Sequence, residues 1–224
     1  MTVRTVLFDV DGTLVDSNYL HVDAWQRALG DLDVAVDAWR IHRAIGQDST
    51  RLLRAVAGER DDAWNARATS LHGEHYRALA PRLRAFDAAA GLLRAIAARD
   101  ILVVLATSAP EDELALLRAA LDADDAIHAV TSADDVESAK PDPGILEVAL
   151  HRAGATPSEA LMIGDSVWDM AAAARAHVRS VGVLCGGVGA AELLDSGARA
   201  VHDDPAAVLA ALDTVLDTVL DGGL

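Results

Sequence analysis

The chain has 224 residues, 52% of them hydrophobic and 24% charged, with a formal net charge of −16. That length suits one large domain or a domain carrying a smaller insert, and the apolar content fills a substantial core, which excludes a disordered chain. The acidic balance excludes a nucleic-acid or anionic-membrane binder, since both need a basic face, and no apolar run reaches the roughly 20 residues that span a bilayer.

The first element in chain order is a strand, VRTVLF, ending at Phe8. From about Ser17 to Arg84 no strand is readable. The patterns there are helical: LHVDAWQRAL, then STRLLRAVA behind an N-cap at Asp48, then ARATSLHGEHYRAL. Beyond them strands and helices alternate. The strands are ILVVLA ending at Ala106, AIHAV at Val130, ALMIG at Gly164, SVGVL at Leu184 and a weaker RAVH at His202. Helices are expected over Asp87–Arg99, Glu111–Leu121, Pro143–Ala153 and Trp168–His177, with LDTVLDTVLDGGL a closing helix that frays into Gly222 and Gly223. This alternation predicts an α/β fold with a Rossmann-like parallel-sheet core, interrupted after its first strand by an all-helical insert.

In an open parallel sheet, ligands bind beyond the carboxyl ends of the strands. The first strand is followed there by Asp9 and Asp11 in DVDGTLVDS, the second by Thr107 and Ser108, and the fourth by Asp165, Ser166 and Asp169 in GDSVWD. Asp9 and Asp11 would face opposite sides of a regular strand, so they converge only if the chain leaves the strand between them. Gly12 allows that departure, and the turn it makes is expected to leave backbone N–H groups free for an anion. Four carboxylates gathered at one edge repel one another unless a hard cation sits among them, and Mg²⁺ suits such oxygen ligands beside a phosphate. Taken singly, each aspartate also reads as a helix or turn cap. Lys140, in SAKPDP after the third strand, is the only lysine among 19 basic Lys and Arg residues. An ammonium is a compact point charge where guanidinium is a planar fork, so a tight site distinguishes them.

DVDGTLVDS, the strand-terminal Thr107, Lys140 and GDSVWD resemble the four motifs of the haloacid dehalogenase-like hydrolase superfamily, in their usual order and spacing and over nearly the whole chain. The insert sits where that superfamily places a cap, which implies a core of 1–16 and 85–224 and a helical cap of 17–84. The resemblance implies Asp9 as the nucleophile that forms an aspartyl-phosphate, and Asp11 as general acid and then base. It implies Mg²⁺ held by the Asp9 carboxylate, the Asp11 main-chain carbonyl and Asp165, with Asp169 close by. Thr107 and Lys140, with Ser108 and Gly12, would bind the phosphoryl group.

DSNYLHVDAW and the insert position are similar to the branch that holds phosphoglycolate phosphatases, other small-phosphate phosphatases and beta-phosphoglucomutase. Asp11 argues against a dehalogenase, which lacks that acid. A cap without lysine excludes the Schiff base of a phosphonoacetaldehyde hydrolase. His21 and Trp25 match the mutase register, but Ile45-Gly46-Gln47-Asp48-Ser49 departs from the mutase substrate loop, so hydrolysis of a small phosphorylated metabolite is favoured over a sugar-phosphate mutase. A catalytically silent phospho-ligand binder would lack a nucleophile, acid or ligand, and none is missing. Tyr19, His21, Gln47, Asp48 and Arg51 are the candidates for reading the substrate's organic part. Arg51 reads equally as an exposed helix charge, and His21 as a surface polar residue. Trp25, Trp39 and Trp64 read as insert core, and Trp168 as a site wall or sheet packing. The return LRAFDAAAGLL carries Asp87-Ala88 where the family has Pro-Gly. The opening apolar run is too short for a signal-peptide core and Cys185 has no disulfide partner, so a cytoplasmic protein with an inert thiol and no implied protein partner is expected.

Overall fold

The computed structural model describes residues 2–135 and 140–217. Ser138 and Ala139 of the lysine turn, and the expected fraying at Gly222 and Gly223, lie outside them. Six parallel strands form one sheet: β1 (Thr5–Phe8), β2 (Leu102–Leu105), β3 (Ala129–Val130), β4 (Ala160–Gly164), β5 (Arg179–Val183) and β6 (Ala198–His202). Their order is β3-β2-β1-β4-β5-β6, so the winding direction reverses between β1 and β4. Phe8 is in register with Leu105 on one side and Ile163 on the other, which brings Asp9, Ala106 and Gly164 out together at the carboxyl edge. That reversal point is where an open α/β sheet leaves a crevice.

β1 and β4 are buried along their whole length. Their apolar runs therefore show no polar alternation, as expected of strands covered on both faces. Alternate side chains go to opposite layers. Val6, Phe8, Val103, Leu105 and Ile163 pack against α5 (Ala89–Ala97), α6 (Glu111–Leu121), α10 (Pro205–Ala210) and α11 (Leu212–Asp217). Leu7, Val104 and Met162 meet α7 (Gly144–Ala153) and α8 (Val167–Arg175).

Between β1 and α5 lie α1 (Asn18–Gly30), α2 (Ala38–His42), α3 (Ser49–Ala57) and α4 (Asp62–Leu79), which share an apolar cluster of their own around Trp25, Leu29, Ile41 and Leu53. Asp48 caps α3 by accepting the Arg51 amide, as its position predicts. α2 was not legible, because five residues with only Ile41 buried leave no periodic signal. The same brevity corrects the reading of Trp39. It is 66% exposed on α2, while Trp25 is buried and Trp64 packs at the cluster's edge. α9 (Ala190–Asp195) and α10 were also unread, and β3 is only two residues long. α5 begins two residues later than expected, because Ala88 takes a left-handed φ of 62° at its N-cap.

Candidate active site

The first loop explains how two aspartates two residues apart reach one site. The Asp9 amide donates to the Ile163 carbonyl at 3.0 Å and completes the ladder, after which the chain turns sharply. The Val10 carbonyl accepts the amides of Thr13, Leu14 and Val15, and Gly12 sits at φ 76°. The expected role of Gly12 needs correction. Its amide donates to the Val15 carbonyl at 2.9 Å, because the turn closes on itself, so it is not free for an anion. Gly12 supplies room instead: a Cβ there would stand 2.2 Å from Asn18 Nδ2 and 2.6 Å from Asp165 Oδ2.

Asp9, Asp165 and Asp169 offer carboxylate oxygens within 4.8 Å of one another, all three side chains buried or nearly so. Lys140 is 2% exposed, and its Nζ donates to Asp9 Oδ1 at 2.5 Å. Asp169 Oδ1 lies 2.7 Å from the same nitrogen, but without hydrogen-bond alignment, so this buried oxygen has no hydrogen-bond donor among the described residues. Its other oxygen accepts the Ser166 amide and hydroxyl, the reciprocal capping box that starts α8 and fixes the carboxylate. Thr13 Oγ1 donates to Asp165 Oδ1 at 3.0 Å, with Asp9 Oδ2 farther at 3.3 Å, and Asn18 Nδ2 donates to Asp165 Oδ2 at 2.8 Å.

Burial pushes Asp9 up to about 7, Lys140 pulls it back, and the neighbouring Asp169 and Asp11 charges add to the rise. Burial, then the charges of Asp9 and Asp169, push Asp165 well above the usual carboxylate range. The two carboxylates beside Lys140 raise its ammonium despite burial, so it stays charged. Three clustered carboxylates, two of them beside one ammonium and one with an oxygen that accepts no aligned hydrogen bond among the described residues, form a donor set that fits a hard cation with oxygen ligands.

The Asp11 carboxylate is outside this cluster. Its Oδ1 accepts from Ser17 Oγ at 2.5 Å and lies 3.1 Å from His21 Nε2. Burial would raise Asp11, but the His21 charge and hydrogen bond bring it below its ordinary value. Burial would likewise depress His21, and Asp11 raises it instead. His21 is buried and held against the Asp11 carboxylate, so it is not a surface residue.

A cavity of about 560 Å³ joins this edge to the helical insert. Asp9, Asp11, Thr107, Ser108, Lys140 and Asp165 line it from the core. Thr107 Oγ1 accepts the Ala109 amide at 3.0 Å, which leaves its own O–H available to donate in the cavity it lines. Of the expected readers on the insert, His21, Gln47 and Asp48 line the cavity. Tyr19 and Arg51 are not among its lining residues. Tyr19 is 58% exposed and stacks on His42, and Arg51 is paired with Asp48 and with Asp142 at 2.7 Å. Trp168 is not a lining residue either and stands against the loop at Gly46. Cys185 is half-buried, its Sγ donates to the Gly12 carbonyl, and burial pushes the thiol up to about 12, which keeps it unreactive.

Thr13, Asn18, His72, Glu113 and Gly186 were not singled out by sequence reasoning. A Cβ at Gly186 would stand 1.7 Å from Asp165 Oδ2, and its carbonyl accepts from Asn18 Nδ2 and lies 2.9 Å from His42 Nε2. The Cys185-Gly186-Gly187 run after a strand was the available signal of such a close backbone approach.

Residues 3–177 match the family model of haloacid dehalogenase-like hydrolases. The chain is 34% identical over 211 residues to a phosphoglycolate phosphatase of Rhodospirillum rubrum, covering 90% of this chain and 87% of that protein. The crystal structure of a hydrolase from Pseudomonas syringae superposes with a TM-score of 0.90 at 36% identity, covering 94% of this chain and 98% of that one. A beta-phosphoglucomutase from Clostridium difficile, at 18% identity and a TM-score of 0.85 over 98% of each chain, shares the fold. Among the described residues no helix is long and apolar enough to cross a membrane. With its motifs gathered at one sheet edge and the family matched over most of its length, the chain belongs to the haloacid dehalogenase-like hydrolases.

Proposed function

We propose that the chain is a Mg²⁺-dependent phosphatase that hydrolyses a small phosphorylated metabolite through an aspartyl-phosphate on Asp9. The carrying observation is the division of labour among buried carboxylates: Asp9, Asp165 and Asp169 cluster together, two of them paired with Lys140, while the Asp11 carboxylate stands apart against His21. The name of the Rhodospirillum rubrum relative supports the same chemistry. Residues 17–84 would act as a cap over the core formed by 1–16 and 85–224, in a cytoplasmic enzyme.

Asp9, Asp165 and the Asp11 main-chain carbonyl would hold Mg²⁺, with Asp169 beside them. The ion would neutralise charge on the phosphoryl group and hold it in line with Asp9. The Thr107 hydroxyl and the Lys140 ammonium bind the phosphoryl oxygens. An Asp9 oxygen attacks phosphorus as the bond to the ester oxygen breaks, and Asp11 delivers a proton to the departing oxygen. His21 Nε2, one hydrogen bond from Asp11, is placed to supply that proton. In the second step the Asp11 carboxylate takes a proton from water, which attacks phosphorus and releases inorganic phosphate and free Asp9.

The test is phosphate release from a panel of phosphorylated metabolites, with Mg²⁺ or chelator, for the wild type beside Asp9→Asn. Chelator-sensitive release that vanishes in the variant is expected. Release that survives Asp9→Asn overturns the assignment. Conversion of a sugar 1-phosphate in the presence of a bisphosphate primer, without net phosphate release, assigns a mutase instead.

A further inference from the structure

Two buried polar side chains face the site without a part in the chemistry above. His72 projects from α4 of the insert and Glu113 from α6 of the core, each 6% exposed. His72 Nε2 lies 3.0 Å from His21 Nδ1, and its Nδ1 lies 3.8 Å from Glu113 Oε1. Together with His21 they form one line from Asp11 to the first turn of α6. The rings in this line are held in plane. Tyr76 stacks on His21 at 4.0 Å between centroids, and Trp25 stacks on His72 at 4.2 Å.

The order of protons along the line follows from its two ends. A carboxylate accepts, so His21 presents an N–H to Asp11 from Nε2, and its Nδ1 and His72 Nε2, 3.0 Å apart, share one hydrogen bond in which one ring donates and the other accepts. A neutral His72 that accepts at Nε2 carries its proton on Nδ1, the nitrogen that faces Glu113. A carboxylate there favours that tautomer, and the partner of one ring nitrogen decides what the other can do. Without Glu113 nothing beside His72 Nδ1 fixes which of its nitrogens carries the proton, so the hydrogen bond to His21 Nδ1 loses its defined direction. Packing alone gives no reason for such a trio, since apolar side chains would fill the space without the cost of burying a carboxylate.

We propose that His72 and Glu113 are positioning residues, which hold the His21 imidazole against Asp11 and so align the leaving-group proton only while insert and core stand together. This rests on the phosphatase reading and on Asp11 as its acid. Neither residue touches the phosphoryl centre. Their effect passes through His21.

The experiment compares kcat/KM for an alkyl phosphate with that for 4-nitrophenyl phosphate, in the wild type, His72→Phe, Glu113→Gln and the double variant. kcat/KM reports events up to the first irreversible step, so hydrolysis of the aspartyl-phosphate does not enter. An alkoxide needs a proton to depart and a nitrophenolate does not. The expected result is a loss of about tenfold or more on the alkyl ester with a loss under about threefold on the nitrophenyl ester, below the full range of general-acid catalysis because Asp11 itself remains. The double variant should lose no more than the larger single loss, because both act through one ring. Thermal melts follow folding, and if His72→Phe does not fold, Glu113→Gln decides. Equal losses on both esters, or no loss on either, overturn the positioning role alone. A wild type that releases phosphate from neither ester removes the phosphatase reading, and the inference with it.

Discussion

Lys140 donates to Asp9 at 2.5 Å from a position 2% exposed, so the only lysine of the chain touches the residue read as its nucleophile. The spacing leaves no room for a planar guanidinium between Asp9 and Asp169. Lys140→Arg keeps the charge and loses the fit, and we expect kcat/KM on any phosphate ester to fall by about a hundredfold or more, as when one electrostatic stabiliser is removed. Activity within a few-fold of wild type would show that charge alone is needed there.

If the carboxylate cluster holds Mg²⁺ as proposed, stability depends jointly on metal and pH. Asp9 is raised from 3.8 to about 7 by burial first and by neighbouring carboxylates, so the metal-free fold binds this proton more tightly than the unfolded chain does. That contribution is complete below the unfolded value and is lost as pH rises through about 7. A divalent cation favours the ionised form. The Tm increase produced by Mg²⁺ should therefore be larger at about pH 8 than at about pH 5.5, while the chelated protein loses Tm over the same interval. A Mg²⁺ effect independent of pH would mean that the ion does not bind these carboxylates.

Much of this site was legible because its parts are local in sequence. Asp9, Thr107 and Asp165 each follow an apolar strand, and the parallel register of β1 with β2 and β4 turns that shared position into shared space. Lys140 stood out by composition alone. His72 and Glu113 carry no such mark: one is a helical residue of the insert, the other lies in an acidic first turn that reads as ordinary dipole complement, and only tertiary packing sets them 3.8 Å apart. Gly12 was read correctly as a break in the strand, but its amide was assigned to a ligand. Which groups a tight turn uses to close itself is not written in its residue types.

The return from insert to core carries a local conflict that a single change relieves. Ala88 holds φ 62° at the N-cap of α5, a left-handed conformation that costs an L residue about 1 kcal/mol and glycine little. Glycine also costs more entropy in the unfolded chain, which offsets part of the gain. Ala88→Gly should raise stability by roughly 0.5 kcal/mol in a denaturant titration with an unchanged m-value. A loss of stability would place the strain elsewhere in the turn.

Gly186 presents the opposite case, a glycine with no room for anything larger. A Cβ there would stand 1.7 Å from Asp165 Oδ2 and 2.3 Å from its carboxyl carbon, so Gly186→Ala must move either the loop after β5 or the carboxylate. Asp165 is not free to yield, because Thr13 and Asn18 hold its two oxygens at 3.0 Å and 2.8 Å. Moving the loop instead breaks the contacts of the Gly186 carbonyl with Asn18 and His42, and His42 belongs to the insert. Either response disturbs the proposed cation ligands or the junction of insert and core. We expect Gly186→Ala to raise the Mg²⁺ concentration for half-maximal activity by about tenfold or more, the scale seen when an outer partner of a metal ligand is lost. Titration of Mg²⁺ against phosphate release, with Gly187→Ala as the neighbouring comparison, reads the shift directly. An unchanged half-maximal concentration in Gly186→Ala would mean that Asp165 is not a ligand, or that the loop gives way without moving it, and the Asp165→Asn variant separates the two by losing metal dependence only if Asp165 binds the ion.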